Sequence, residues 1–164
     1  MDVHTLWNGF VGKPADSPAP RPVQTAPALN GLRIVLVEDH TDALEATRRL
    51  LELYGAQVAT GANGHEGLVA LRILRPEVVV TDLAMPLMDG YALMRHIRTL
   101  GSEGGGTVPV IAVSGHASPE ERRRVQQAGF AAHLAKPVAP GRLIQAILEA
   151  VPQAKADPKR EVWP

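Results

Sequence analysis

The chain has 164 residues, of which 45% are hydrophobic and 21% are charged, and its formal net charge is +0; this is the composition of an ordinary globular protein. It contains no cysteine, which excludes disulfide frameworks, thiolate zinc sites and cysteine nucleophiles. The balanced charge gives no reason to expect nucleic acid or an anionic membrane as an obligatory partner.

The sequence carries no signal for a membrane or for export. No apolar run is long enough to span a bilayer, and the first residues lack the basic and then apolar build of a signal peptide. We therefore expect no membrane association and a cytoplasmic location, which the absence of cysteine also suits.

Residues 1–30 are predicted to form a disordered arm and linker. Five prolines and four alanines fall in the stretch from Lys13 to Ala28, and this composition favours an extended, semi-rigid linker. A short apolar cluster, Leu6–Val11, precedes it; a docking segment, the end of a neighbouring domain and a passive tail all stay open for it. We expect a folded domain over residues 31–152 and a disordered polar tail over residues 153–164.

Within the predicted domain, short strands alternate with helices. The strands are predicted from apolar or β-branched runs bounded by turn residues, and they are Ile34–Val37, Gln57–Thr60, Val78–Thr81, Pro109–Val113 and Ala131–Leu134. Apolar residues at helical spacing follow each strand. The glycine-rich residues 101–106 lie between a helix and a strand, which predicts a flexible connection, since phosphate-binding glycines lie between a strand and a helix.

The ends of the helices also carry recognisable signals. Gly55 can end the first helix in a left-handed cap. Asn63 can cap the second helix, which has to end before Pro76. Ser118, with a proline next to it and Glu121 in the first turn, fits a capping box at the fourth helix.

Five strand–helix units in regular alternation imply a parallel sheet with right-handed crossovers and helices on both faces. We predict a doubly wound, flavodoxin-like (βα)5 fold of the α/β class, with strand order 2-1-3-4-5. The carboxyl ends of all five strands then open on one edge of the sheet, where such folds bind ligands.

Polar side chains follow the predicted strands at that edge, and they are Glu38, Asp39, Asp82, Ser114 and Lys136. Three carboxylates in one crevice repel each other unless a proton or a cation joins them. Oxygen ligands favour a hard divalent ion, above all Mg²⁺. A carboxylate nucleophile, a metal, a lysine and a hydroxyl together describe a phosphoryl-accepting site in which Asp82 attacks phosphorus. The alternatives are that Asp82 only caps the following loop, or that the set is a surface salt-bridge cluster.

The segment from about Leu32 to Val151 resembles the receiver domain of two-component response regulators, over nearly the whole of that fold. The resemblance rests on the order and spacing of short motifs, which are Glu38-Asp39, Asp82 with Met85-Pro86 and Gly90, Ser114, and Lys136-Pro137. It implies that the peptide bond between Lys136 and Pro137 is cis.

The resemblance also implies a role for each residue at the site. Asp82 would be the phosphoacceptor. Asp39 and Asp82 would bind Mg²⁺ directly, with the backbone carbonyl of Ala84 as a third protein ligand. Glu38 would act mainly through a metal-bound water, and Ser114 would move towards the phosphoryl group after transfer.

The sequence departs from the family pattern at two positions. Glu38, at the first acidic position, is a common variant. His133 stands where the family usually has a tyrosine or phenylalanine that turns inward as Ser114 moves. An imidazole can rotate in a similar way, but it is polar and titrates near neutral pH. We expect Ser114 and His133 to form the switch, with a half-exposed strand residue as the alternative for His133.

Other readings of these residues fit less well. A hydrolytic triad built on Ser114, His116 and Asp82 lacks the nucleophile elbow, because Ala112 stands where its first glycine should be. In a haloacid-type phosphatase, Ala84 would be a second aspartate. Arg122–Arg124 fits a solvated helix face better than a nucleic-acid patch. The histidines without ligand spacing between them are predicted to be surface residues, and they are His4, His40, His65 and His96.

The sequence thus predicts a phosphorylation-controlled signalling module that catalyses only its own phosphorylation and dephosphorylation. The expected phosphodonor is a histidine kinase or a histidine phosphotransfer protein. Output would pass through the face made by the fourth helix, fifth strand and fifth helix, to a downstream protein or a second copy. Few residues follow Val151, so direct DNA binding is not expected. The alternative is a receiver fold that acts as an interaction module without phosphate.

Two contexts stay open for such a module. One is a stand-alone regulator or relay intermediate, and the other is a receiver at the carboxyl end of a hybrid histidine kinase. The proline- and alanine-rich linker and the segment Ala128–Val138 favour the second context, because that segment resembles receivers attached to such kinases.

Overall fold

Five parallel strands form one sheet in the computed structural model, which describes residues 28–152. The strands are β1 (Arg33–Val37), β2 (Gln57–Gly61), β3 (Val78–Asp82), β4 (Val110–Ser114) and β5 (Ala132–Ala135). They pair in parallel in the order β2-β1-β3-β4-β5, which confirms the predicted fold and strand order. The strand order reverses beside β1, and a crevice for a ligand is expected at that point.

A helix follows every strand and covers one of the two faces of the sheet. The helices are α1 (Thr41–Leu53), α2 (Gly64–Leu74), α3 (Gly90–Arg98), α4 (Pro119–Gln127) and α5 (Pro140–Ala150). Helices α1 and α5 pack on one face, and α2, α3 and α4 pack on the other. No helix in the described range is long and apolar enough to cross a membrane.

Strand β3 lies between the two helical layers and is buried along its whole length. Val79 belongs to the core beneath α2, α3 and α4, whereas Val78 and Val80 belong to the core beneath α1 and α5, because side chains alternate along a strand. Burying each of these valines stabilises the fold by roughly 1.5–3 kcal/mol. This packing on both faces holds Asp82 firmly at the carboxyl end of β3.

The predicted helix caps are present, with one difference at α4. The side chain of Asn63 accepts a hydrogen bond from the backbone N–H of Glu66 at 3.0 Å, and Ser118 accepts one from the N–H of Glu121 at 3.1 Å. The return half of the capping box is missing, because the Glu121 carboxylate instead accepts a hydrogen bond from the Tyr91 hydroxyl at 2.7 Å. Helix α4 is therefore tied to α3 by a contact that the local sequence does not reveal.

The packed structure begins before the boundary predicted at Gly31. Leu29 is only 1% exposed, and its backbone N–H donates to the carbonyl of Tyr54 at 2.9 Å. The apolar side chain of Leu29 joins the core beneath α1 and α5, and the division of the chain into domains stays a prediction. The predictions made for residues 1–27 and 153–164 lie outside the described residues.

The glycine-rich residues 101–106 form hydrogen-bonded turns in place of the predicted flexible connection. The N–H of Gly106 donates to the carbonyl of Gly101 at 2.7 Å. Arg98 donates from Nη1 to the carbonyls of Gly106 and Val108, at 2.7 and 2.9 Å. The guanidinium at the end of α3 thus fixes a path that composition alone makes look flexible.

Candidate functional site

The carboxyl ends of β1, β3 and β5 bring an acidic cluster and one lysine together. Lys136 follows β5, and its Nζ lies 2.7 Å from Asp82 Oδ2 and 2.8 Å from Glu38 Oε2. The backbone N–H of Lys136 donates to the carbonyl of Ser114 at 2.8 Å, which continues the β4–β5 ladder by one step. The long lysine side chain therefore starts from a fixed point and spans β4 to reach β3 and β1.

The carboxylates of this cluster are held by backbone donors as well as by the lysine. Asp82 is 5% exposed and Glu38 is 7% exposed. The N–H of Ala84 donates to Asp82 Oδ1 at 3.0 Å, and the N–H of His40 donates to Glu38 Oε1 at 3.1 Å. Ala84 itself is exposed, and the role of its carbonyl as a metal ligand stays a prediction.

Asp39 leaves one buried oxygen unsatisfied. Its Oδ1 atom is buried and accepts no hydrogen bond from the described residues, although His40 Nδ1 lies 3.1 Å away. One potential ligand atom from each of Glu38, Asp39, His40 and Asp82 lies within 4.8 Å of the others. A buried carboxylate oxygen without a partner is costly. A small hard cation among these oxygens would remove that cost, so the donor set fits Mg²⁺.

Lys136 is held in its charged form by the cluster. Burial of the ammonium opposes the charge, but the hydrogen bonds to Asp82 and Glu38 outweigh it and raise the pKa of Lys136. One positive charge therefore stands against three carboxylates, which leaves the cluster short of positive charge. This imbalance is the electrostatic reason for a second cation at the site.

His40 takes part in the cluster in a way that the sequence did not indicate. Its side chain is 72% exposed, as predicted for a surface residue, yet Nδ1 lies 3.0 Å from Glu38 Oε1. The hydrogen bond to Glu38 is the main cause that raises the pKa of His40, followed by the charges of Asp39 and Glu38. The signal available in the sequence was its position directly after the acidic pair.

Ser114 is joined to β5 through a hydrogen bond to His133. The Ser114 hydroxyl donates to the carbonyl of His116 at 2.7 Å, and its Oγ lies 2.7 Å from His133 Nε2. The single hydrogen of the hydroxyl is donated to the carbonyl of His116. The hydrogen bond to His133 therefore has Nε2–H as its donor and Oγ as its acceptor. Burial lowers the pKa of His133, which favours the neutral ring, and the hydrogen bond to Oγ places the proton of that ring on Nε2. The predicted switch pair is therefore in direct contact.

The loop after Asp82 approaches its own strand closely. A Cβ on Gly90 would lie 2.5 Å from the carbonyl oxygen of Asp82, so only glycine fits there without a shift of the backbone. The N–H of Gly90 donates to the carbonyl of Leu83 at 3.0 Å. The peptide bond between Lys136 and Pro137 is cis, as predicted.

Space for a reactant lies beside the cluster. A cavity of about 440 Å³ opens between the loops after β3 and β4 and the helices α3 and α4. Among the residues that line it are Ala84, Tyr91, Ser114, His116 and Arg124. Ala84, whose backbone N–H donates to Asp82, and Ser114, the predicted switch residue, therefore border the same open space.

Known proteins are similar to this sequence over most of the chain. The family model described as the response regulator receiver domain matches residues 34–148. An uncharacterised 14.6 kDa protein in the sodA1 3′ region of Leptolyngbya boryana is 38% identical over 114 residues, which are 70% of this chain and 86% of that protein. The sensor histidine kinase GacS of Pseudomonas protegens is 35% identical over 118 residues, which are 71% of this chain and only 13% of the kinase.

Solved structures share the fold. The receiver domain of the sensor histidine kinase PA1611 of Pseudomonas aeruginosa, with a magnesium ion coordinated in its active site cleft, is 30% identical with a TM-score of 0.68; the match covers 74% of this chain and 98% of that domain. The chemotaxis protein CheY4 of Vibrio cholerae is 23% identical with a TM-score of 0.68, and it has the same fold. The match covers 73% of this chain and 98% of CheY4. The chain therefore belongs to the response regulator receiver domains of two-component signalling, and it is homologous to the receivers of larger sensor kinases.

Proposed function

We propose that this receiver is a working phosphoacceptor, in which Asp82 takes a phosphoryl group from a phosphohistidine. The donor would be a histidine kinase or a histidine phosphotransfer protein. The observation that carries the proposal is the convergence of Asp82 with Glu38, Asp39 and Lys136 in one buried cluster. A passive fold has no need of three carboxylates that repel one another beneath a single lysine.

The transfer is a displacement at phosphorus. A carboxylate oxygen of Asp82 forms the new P–O bond while the P–N bond of the phosphohistidine breaks, and the leaving imidazole takes the electron pair and a proton. Lys136 already contacts Asp82 Oδ2, so its ammonium is placed to neutralise a phosphoryl oxygen as the transfer proceeds. The product is an aspartyl phosphate, which water later cleaves back to the carboxylate and inorganic phosphate.

We propose that Asp39 and Asp82 hold Mg²⁺ directly, with the backbone carbonyl of Ala84, and that Glu38 contributes through a water. The unsatisfied Oδ1 of Asp39 supports this assignment, since it is a free ligand atom inside the cluster. When bound, Mg²⁺ would neutralise the negative charge on the phosphoryl oxygens.

After transfer, Ser114 would turn towards the phosphoryl group. It would have to give up its hydrogen bonds to the carbonyl of His116 and to His133, each 2.7 Å long in the structure described here. The loss of the second bond would carry the change to β5, and so to the face that α4, β5 and α5 share. We propose this face as the output surface, for a downstream protein or for a second copy of the chain.

The phosphoryl group would act as a signal on the domain itself, and the only reactions catalysed would be its own phosphorylation and dephosphorylation. A free-standing regulator and a receiver joined to a kinase would both carry out this chemistry. The chain spans 13% of the length of GacS and 15% of the gliding motility regulatory protein of Myxococcus xanthus. The reading frame upstream of the first codon distinguishes the two contexts, because only the second continues into a kinase domain.

The experiment that tests the proposal is intact mass spectrometry after incubation with acetyl phosphate and Mg²⁺. We expect one labile phosphoryl adduct. Two controls should abolish it: the variant Asp82→Asn, and an excess of EDTA. The variant Asp42→Asn is a matched control, since Asp42 is an exposed carboxylate in the first turn of α1, outside the cluster, and it should keep the adduct.

An adduct that survives in Asp82→Asn would refute the assignment of the phosphoacceptor. Absence of an adduct from both acetyl phosphate and a phosphorylated histidine phosphotransfer protein, together with absence of Mg²⁺ binding by calorimetry, would favour the alternative of a phosphate-independent interaction module.

A further inference from the structure

A groove between α4 and α5 carries positive charge that nothing in the described structure neutralises. It has a volume of about 610 Å³, and its floor is β5 and the segment after it. Arg122 of α4 and Arg142 of α5 line it, together with His133 of β5. We call this cleft the basic groove. It lies on the face proposed above for output, on the opposite side of Ser114 from Asp82.

The two guanidiniums of the basic groove have no carboxylate partner within residues 28–152. Arg142 makes one long contact of 3.4 Å with the neutral side chain of Gln145, and the side chain of Arg122 forms no hydrogen bond or ion pair with the described residues. On α1, by contrast, Arg48 is paired with Glu45 at 2.8 Å. Arginine side chains that converge on one groove without carboxylates are arranged for an external anion.

The carboxylate of Glu121 on α4 lines the neighbouring cavity and does not line the basic groove. Glu121 is held by the Tyr91 hydroxyl at 2.7 Å, and it lines the cavity on the α3 side of α4 instead. Arg124 belongs to that side too, since its guanidinium lies 4.7 Å above the ring of Tyr91. The side chains of Glu121 and Arg124 are therefore engaged on the α3 side of α4, whereas Arg122 lines the basic groove.

Apolar side chains line the basic groove beside the two arginines, and this bears on the class of anion. Leu134, Ala135 and Val138 line it between the two arginines. A small free anion would leave most of the groove unfilled and its apolar side chains exposed to water. Nucleic acid would find two guanidiniums and no aromatic ring apart from His133 for base stacking. We propose that the basic groove binds a segment of a partner protein in which acidic residues alternate with apolar ones.

His133 connects the occupant of the basic groove to the phosphoacceptor site, and this step rests on the function proposed above. Its Nε2–H donates to Ser114 in the structure. When Ser114 turns to a phosphoryl group on Asp82, that N–H loses its acceptor and becomes available to a carboxylate in the groove. Phosphorylation then tightens binding of the acidic segment, and the bound segment stabilises the phosphorylated state to the same extent, because the coupling is reciprocal.

The test uses the full chain and a short fluorescein-labelled peptide of alternating glutamate and leucine, followed by fluorescence anisotropy. Intact mass is measured on the same samples, so that the extent of phosphorylation is known. A matched peptide has lysine in place of glutamate, and a single-stranded oligonucleotide serves as the third probe. The charge-reversed variant Arg122→Glu/Arg142→Glu is compared with Arg72→Glu/Arg95→Glu, which changes net charge equally on exposed positions of α2 and α3.

Of the three probes, we expect only the acidic peptide to bind the wild type. Its affinity should be about tenfold weaker for Arg122→Glu/Arg142→Glu and unchanged for Arg72→Glu/Arg95→Glu. Equal loss in both variants would overturn the proposal, as would preference for the oligonucleotide, or displacement of the peptide by acetate at the same carboxylate concentration. An adduct without any effect on peptide affinity would refute the coupling while the phosphoacceptor proposal stands. Absence of an adduct would refute the proposed function while binding to the unmodified chain still tests the groove.

Discussion

The carboxyl edge of the sheet and the basic groove carry opposite charges in different surroundings. At the edge, Glu38 and Asp82 are 7% and 5% exposed and are held by one lysine and by backbone N–H groups. In the groove, Arg122 and Arg142 are exposed to solvent. Charges interact more strongly away from water and salt. The buried cluster therefore favours a small cation, whereas the proposed groove would give a graded, salt-sensitive preference for acidic partners.

A hydrogen bond between side chains joins the surroundings of the two regions. Ser114 borders the cavity beside the acidic cluster, His133 lines the basic groove, and their side chains lie 2.7 Å apart. Phosphorylation of Asp82 can therefore alter the binding of a partner in the basic groove.

The variant Lys136→Met should remove phosphoryl transfer and destabilise the fold. It leaves two buried carboxylates without their cation, and breaking a fully buried pair costs about 3–5 kcal/mol. Because the lysine side chain is 33% exposed, we expect the free energy of unfolding in EDTA to fall by about 2–4 kcal/mol, as measured by urea denaturation. The variant Arg122→Met is the control and should change it by less than about 0.5 kcal/mol. Equal stability of the two variants would contradict the contrast between the regions.

Magnesium should stabilise the domain through the acidic cluster. At a concentration about a hundred times its Kd, a ligand that binds only the folded state raises the free energy of unfolding by about 2.7 kcal/mol. Thermal unfolding with and without Mg²⁺ should show this gain in the wild type and in Asp42→Asn, and little of it in Asp39→Asn. If Asp39→Asn keeps the full gain, the metal does not use that carboxylate.

Two glycines on the two sides of the molecule should respond in opposite directions to alanine. A Cβ on Gly90 would lie 2.5 Å from the carbonyl oxygen of Asp82, whereas a Cβ on Gly141, in the first turn of α5, would meet no atom within 4 Å. We expect Gly90→Ala to lower the free energy of unfolding by about 1–3 kcal/mol and Gly141→Ala to raise it by about 0.4–1 kcal/mol. Urea denaturation of both variants measures this. Similar effects at the two positions would show that the loop after Asp82 is not tightly packed.

The smallest effect concerns pH and the link between the regions. Burial lowers the pKa of His133 below its ordinary value of 6.5, so the unfolded chain takes up a proton before the folded chain does. The contribution of the neutral ring to stability is therefore complete above about pH 6.5 and is lost as the pH falls towards the lower pKa of the folded state. The difference in stability between wild type and His133→Gln should shrink over that range. His40 remains in both proteins, so its opposite pKa shift cancels. A difference that grows on acidification would contradict the assignment.

The part of the structure that follows from local chain physics could be predicted from the sequence. The β-branched run before Asp82 predicts a strand buried on both faces, and regular alternation predicts a parallel sheet. Together they predict that Glu38, Asp39, Asp82 and Lys136 meet at one edge. The caps at Asn63 and Ser118 are also local, since each joins residues within one helical turn.

Contacts between side chains of distant elements could not be predicted in this way. The carboxylate of Glu121 has two possible donors, the backbone N–H of the cap residue Ser118 and the hydroxyl of Tyr91 on α3. It accepts its hydrogen bond from Tyr91. The orientation of Ser114 towards His133 depends on the register of β4 against β5 and on one hydroxyl hydrogen. Such choices are decided by packing between layers, for which the sequence pattern carries no direct signal.

NMR of the imidazole nitrogens of His133 tests the hydrogen bond between Ser114 and His133 as the link from the phosphoacceptor site to β5. The unmodified protein should show a protonated, hydrogen-bonded Nε2. Its resonance should shift in proportion to the fraction of adduct formed with acetyl phosphate and Mg²⁺, and the variant Ser114→Ala should show a similar shift without phosphate. A complete adduct on Asp82 that leaves the His133 resonances unchanged would contradict the account.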